Sequence, residues 1–228
     1  MLIRYLPLVA GVLPIAAAYL AFWIGVEAGS LPACIPFVDG CASISATGRR
    51  PPGSFLFRAV MLPHAAVLLA TWYFTVAWLR CLDPGLRRGT ARAIHVTGAT
   101  SAVALILYVT FLGTREPFYE FMRRFGIYFF FIGMVVAEVL VTDALYRMAA
   151  LRRRPELAAL FGMLLVLCVV PFALGVLNFI LKATLEDASG SENVIEWLVA
   201  TIMHAWLIVL YLLWRRTGFE ISARANLQ

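Results

Sequence analysis

Residues 157–181 read LAALFGMLLVLCVVPFALGVLNFIL, an apolar run with no polar face to offer water. Five more runs resemble it, near Leu2–Val26, Phe55–Leu79, Ala93–Leu112, Phe125–Leu145 and Val194–Trp214. Each holds roughly 20 or more residues, enough for a helix to cross about 30 Å of hydrocarbon. Inside that slab no water pairs with backbone N–H and C=O groups, so a helix, which satisfies them within the segment, is the expected form. The sequence therefore predicts an all-α membrane protein, a bundle of six transmembrane helices. The connections are short, so residues 1–228 are expected to form one transmembrane domain. The composition, 62% hydrophobic and 14% charged, agrees and leaves no room for a separate soluble domain. The first run is too long for a typical signal-peptide core and no clear small-residue cleavage site follows it, so it is read as a retained span, with a signal peptide as the minority alternative.

Lys182 is the only lysine, and the net charge of +6 rests on arginine. The arginines gather at the ends of the apolar runs, where they set orientation and meet anionic headgroups; a nucleic-acid partner is not expected. One side collects Arg4, Arg80, Arg87, Arg88, Arg92, Arg147, Arg152, Arg153, Arg154, Arg215, Arg216 and Arg224, which is 12 of the 19 Lys and Arg. The positive-inside rule then places both termini in the cytoplasm. Segments 27–54, 113–124 and 183–193 would face the exterior or a lumen. Cys34 and Cys41 share the first of these and can close a small disulfide there. Cys81 is expected as a free thiol at a helix end, and Cys168 as a packing residue.

The longest connection, EAGSLPACIPFVDGCASISATGRRPPGS at 27–54, is the candidate functional loop. Ser54 is placed to cap the second span. TREPFYEFMRR, at 114–124, reads either as an interfacial amphipathic helix or as a plain hairpin with aromatic anchors. Pro14, Pro63 and Pro171 fall inside spans and predict kinks.

Ionisable groups are costly in a bilayer, so their positions are the best guide to function. Arg58 and His64 lie in the outer half of the second span, Asn178 and Lys182 at the outer end of the fifth, and Glu196 and His204 in the sixth. Beneath the long loop, this set could hold a lipid headgroup. Arg58 and Lys182 would meet phosphate, Glu196 would orient Arg58 or a hydroxyl, and Ser43 and Ser45 would belong to a loop lid. The competing reading lets Arg58 and Lys182 snorkel to headgroups and Glu196 cap its helix. His64 and His204, if they face each other, could act as general acid and base. A loop constellation of Asp39, Ser43 or Ser45 with His64 is a weaker signal. Glu138, deep in the fourth span, is expected either protonated or paired with His95 or Arg80, and Asp143 with Arg147. No phosphate-binding glycine loop, HExxH, GxSxG or metal-type Cys/His spacing occurs, so neither a metal nor a cofactor is expected.

The run Cys34–Ile35–Pro36–Phe37, followed by Ser43–Ile44–Ser45, Pro52, Phe55 and Arg58, resembles the signature of the post-GPI-attachment-to-proteins factor two family. Its superfamily includes the damage-regulated autophagy modulators and a plasma-membrane regulator of phosphoinositide kinase. RRFGIYFFFIGMVVAEVL at Arg123–Leu140 is similar to that family's fourth span. IEWLVATIMHAWLIVLY at Ile195–Tyr211 is similar to its sixth, with Glu196 at the acidic position. The resemblance implies lipid handling: a lipid-binding or accessory factor in lipid or GPI-anchor remodelling, working with membrane lipids and with a lipid-modifying enzyme or other membrane protein. It implies the Golgi or another endomembrane in a eukaryote. An Arg- and Ala-rich, lysine-poor chain also suits a GC-rich bacterial genome; the inner membrane and a more general lipid role would follow there. The alternatives are a membrane acyltransferase or lipid hydrolase with a histidine base at His64 or His204, and a structural protein that recruits a partner.

Overall fold

The structure, a computed structural model, describes residues 3–148, 151 and 153–220. Of the arginines counted for orientation, Arg152 and Arg224 lie outside these. Among the described residues there are six helices long and apolar enough to cross a membrane and two short ones. They are α1 (Leu6–Glu27), α2 (Pro36–Asp39), α3 (Ile44–Thr47), α4 (Gly53–Leu82), α5 (Arg88–Thr110), α6 (Pro117–Arg147), α7 (Pro155–Thr184) and α8 (Ser189–Arg216). A single 3₁₀ turn, Ile3–Tyr5, leads into α1.

Proline sets several starts. Pro7, Pro117 and Pro155 occupy the first turns of α1, α6 and α7, where the missing N–H would have had no helical partner anyway. At the start of α8, hydrogen bonds from the Ser189 hydroxyl and N–H hold the exposed Asp187 carboxyl below the usual carboxylate range. Residues 117–124 are neither a hairpin nor a separate interfacial helix; they form the first turns of α6. Glu120 lies one turn before Arg123 and Arg124 and pairs with both, which helps carry the helix past the apolar core. Ser54 does not cap α4, because the helix begins at Gly53.

The long helices pack in the spatial order α7, α8, α1, α4, α5, α6, and α6 closes the ring only lightly against α7 and α8. Small residues allow the tight crossings. A Cβ on Gly126 would stand 2.6 Å from Tyr108 N, and one on Gly133 2.8 Å from Thr97 O, so α5 and α6 meet backbone to backbone. Gly11 of α1 meets the carbonyl of His204 in the same way. The sixth span, α8, forms much of the core: Trp197, Trp206 and Trp214 are all fully buried. The fifth, α7, is the least enclosed, burying only Leu157, Leu164, Cys168 and Pro171. Thr142 ties α6, α7 and α8 together, since its hydroxyl accepts the Trp206 indole N–H at 3.1 Å and lies 3.3 Å from Cys168 Sγ.

The first connection folds back onto the bundle. Cys34 and Cys41 are bonded to each other and bracket α2. Gly40 ends α2 at φ 59°, and a Cβ there would collide with the carbonyl of Gly190. Its carbonyl accepts Asn193 Nδ2–H at 2.7 Å, while the Ala42 carbonyl accepts the Trp197 indole N–H at 2.9 Å. The loop is thereby pinned to the first turns of α8, with α3 lying across the ends of α1 and α4.

Candidate functional site

Beneath α3, a cavity of about 40 Å³ is enclosed by α1, α4, α5, α6 and α8. Helical spacing explains which side chains reach it. On α8, Glu196, Ala200 and His204 recur every four residues and form one stripe. On α4, Phe57, Met61 and His64 form another. Tyr108 enters from α5, Phe130 and Phe131 from α6, and Ile44 from the loop above.

Two polar groups occupy this apolar shell. Nearest the loop, Glu196 Oε1 accepts the Ser45 N–H at 3.2 Å and lies 3.5 Å from the Ser45 hydroxyl. That hydroxyl is in turn 2.9 Å from the Tyr108 hydroxyl. Ser45 therefore ties the loop to α5 and α8 together. Deeper, the His64 and His204 rings face each other with centroids 6.2 Å apart. His204 Nδ1 lies 2.7 Å from the Ala200 carbonyl. A carbonyl only accepts, so Nδ1 carries the proton and Nε2 is left as the free ring nitrogen. Among the described residues, neither that Nε2 nor either nitrogen of His64 has a hydrogen-bond partner, although His64 is 0% and His204 4% exposed. A buried polar atom in that position costs about 1–3 kcal/mol unless something pairs with it. The space is large enough for a hydroxyl-sized group or a couple of waters, and too small for an acyl chain.

The other residues expected at this site lie elsewhere. Arg58 Nη2 donates to the Leu112 carbonyl, closing the turn after α5. Lys182 pairs with Glu192 across the α7–α8 turn. Asn178, on the same poorly enclosed helix, does not line the cavity. The Ser43 hydroxyl caps α3 by accepting the Ala46 N–H at 3.1 Å. The Asp39 carboxylate caps α2 by accepting the Ile35 N–H at 2.7 Å, so no Asp–Ser–His constellation assembles. Glu138 pairs with neither His95 nor Arg80: it is 1% exposed and its carboxyl has no hydrogen-bond partner among the described residues, and His95 stacks on Tyr73 at 5.6 Å. The Asp143–Arg147 pair does form, at 2.8 Å. Tyr108 was not expected. An aromatic near a span end reads as an interfacial anchor, and only the packing of α5 turns this one inward.

Phe131 connects the cavity to the surface of the bundle. It lines the cavity on one side and, on the other, a lateral groove of about 250 Å³ between α6, α7 and α8. Among the described residues no cluster of three or more potential metal ligands occurs.

Residues 3–214 match the family model described as the Frag1/DRAM/Sfk1/Cwh43P N-terminal domain. No curated protein and no solved structure matches the chain.

Proposed function

Because the chain belongs to the Frag1/DRAM/Sfk1/Cwh43P N-terminal domain family and is an integral, multi-pass membrane protein, we propose that it works as a lipid-handling accessory factor. In this reading it holds the polar end of an amphiphile at His64, His204 and the Glu196–Ser45–Tyr108 group. The observation that supports it is the adjacent histidine pair, whose three ring nitrogens have no hydrogen-bond partner among the described residues, in an apolar shell. A hydroxyl or amine entering between the rings gains hydrogen bonds that the protein alone does not supply. The chains of the amphiphile stay in the lateral groove, and Phe131 is the side chain that must move to admit its polar end.

The arginine distribution gives this reading a direction. Both termini are cytoplasmic and the Cys34–Cys41 loop is exoplasmic, so the amphiphile comes from the outer or lumenal leaflet. The loop signature supports a finer form: a role in lipid or GPI-anchor remodelling beside a lipid-modifying enzyme, as in the post-GPI-attachment-to-proteins factor two group. Arg58 and Lys182 do not enter the proposal, since both already have partners.

The test is mass spectrometry of lipids extracted with the protein in native-membrane nanodiscs. The wild type is expected to be enriched in one hydroxyl- or amine-bearing lipid relative to the surrounding membrane, and His64→Leu and His204→Leu to lose that enrichment. A wild-type lipid profile identical to the bulk membrane rejects the proposal.

One observation favours a second reading. The Nδ1 bond to Ala200 leaves the His204 Nε2 free to act as a base beside the His64 ring, which suits an acyltransferase or lipid hydrolase. That reading requires purified protein to turn over lipid, and loss of turnover in both histidine variants.

A further inference from the structure

At the opposite end of the bundle from the loop, a second groove separates α6 from α7. Its volume is about 750 Å³ and its walls are apolar, with Phe161, Leu165, Val169 and Phe172 of α7 facing Val139 of α6. It lies within two membrane-spanning helices, so the molecule that fills it is drawn from the bilayer. Gly162 makes it wide: a Cβ there would meet nothing within 4 Å. Its floor is fixed, because Thr142 and Cys168, both lining the groove, meet at 3.3 Å and Thr142 also holds Trp206 of α8. The groove is therefore a shaped slot between helices, and its volume falls in the range of ligand pockets.

The mouth is charged. Asp143 and Tyr146 line it on α6, and Ala158 lines it on α7, one turn beyond Arg154 at the head of that helix. Asp143 is neutralised by Arg147 at 2.8 Å. Exposed Arg153 and Arg154 immediately precede α7, and Glu156 lies in its first turn. The stretch from Asp143 to Glu156 that joins the two helices carries four arginines, Arg147, Arg152, Arg153 and Arg154, against two carboxylates, a net charge of +2. A phosphodiester carries the opposite sign of charge, and arginine at a helix end beside an apolar slot suits phosphate recognition.

We infer that the α6–α7 groove is a glycerophospholipid site: an acyl chain fills the slot past Gly162 and the phosphate is met by Arg153 and Arg154. This site is separate from the histidine cavity and belongs to the other leaflet.

The experiment compares retention of two probes by the purified full chain in mixed micelles, using native mass spectrometry: dioleoyl phosphatidylglycerol, and dioleoylglycerol, which has the same chains but no phosphate. The wild type is expected to retain the phospholipid about tenfold better, the size of one good charge-assisted contact. Gly162→Trp, which fills the slot from a lipid-facing position, is expected to lose retention of both. The double variant R153Q/R154Q is expected to lose only the preference. Gly162→Trp should leave the His64-dependent lipid enrichment intact, which separates this site from the histidine cavity. Equal retention of the two probes by the wild type, or undiminished retention by Gly162→Trp, overturns the inference.

Discussion

His64 shows how a side chain can be misplaced for stability and well placed for binding. Its imidazole is buried with no hydrogen-bond partner among the described residues, so His64→Leu removes an unpaired polar group at little cost in volume. Thermal unfolding in detergent is expected to show unchanged or higher stability, by up to about 1–3 kcal/mol, even as lipid enrichment is lost. A clear drop in melting temperature would mean that the ring is a structural tie. Glu196 behaves in the opposite way. Glu196→Ala strands the Ser45 N–H and frees α3, at a cost of about 1–3 kcal/mol, and hydrogen exchange at residues 43–47 should rise; Glu196→Gln, which keeps an acceptor, should show much less of both. Arg58→Ala is likewise expected to damage the fold before it affects lipid, because its guanidinium holds the Leu112 carbonyl. At this scale the sequence shows which groups are costly in a bilayer, and three of them, His64, His204 and Glu196, do converge. It does not show which way each faces. At about 100° per residue, Arg58 and His64 point about 120° apart on α4, so both cannot serve one cavity. That angle was legible, whereas the inward turn of Tyr108 depends on how α5 packs.

Among the elements, the tight crossings carry the sharpest predictions. Gly133→Leu places a side chain against Thr97 and Ser101 of α5 and should cost about 1–3 kcal/mol by overpacking, read as a lower melting temperature. Gly40→Ala strains a left-handed residue, drives a Cβ into Gly190 and loosens the loop from α8. Faster proteolysis between residues 34 and 54, with the six long helices intact by circular dichroism, is the expected result; no change in cleavage would show that the loop is held by other contacts. The existence and number of the long helices were legible because a bilayer demands long apolar segments. Their ends were not. α4 runs to Leu82 and α6 starts at Pro117, because hydrophobicity marks where lipid begins and ends, while a helix continues into the headgroup layer as long as caps and ion pairs such as Glu120–Arg124 sustain it.

As a whole, the molecule is a ring of helices with a light seam. The seam lies where α6 meets α7 and α8, and both lateral grooves open along it. Loosening it should speed lipid exchange: Phe131→Ala is expected to raise the rate at which a fluorescent lipid equilibrates with the purified protein, without altering the melting temperature by more than about 2–4 °C. Orientation is tested by an impermeant maleimide in sealed vesicles, where exposed Cys81 should react only from the cytoplasmic side. The central claim is that the polar end of an amphiphile sits between α4 and α8 beneath the loop. Its most direct test is photo-crosslinking with a lipid carrying a diazirine in its headgroup, followed by peptide mapping. Adducts on residues 43–66 and 195–207 that disappear in His64→Leu are the predicted result. Adducts confined to the outward faces of α7, unchanged in that variant, would contradict the account.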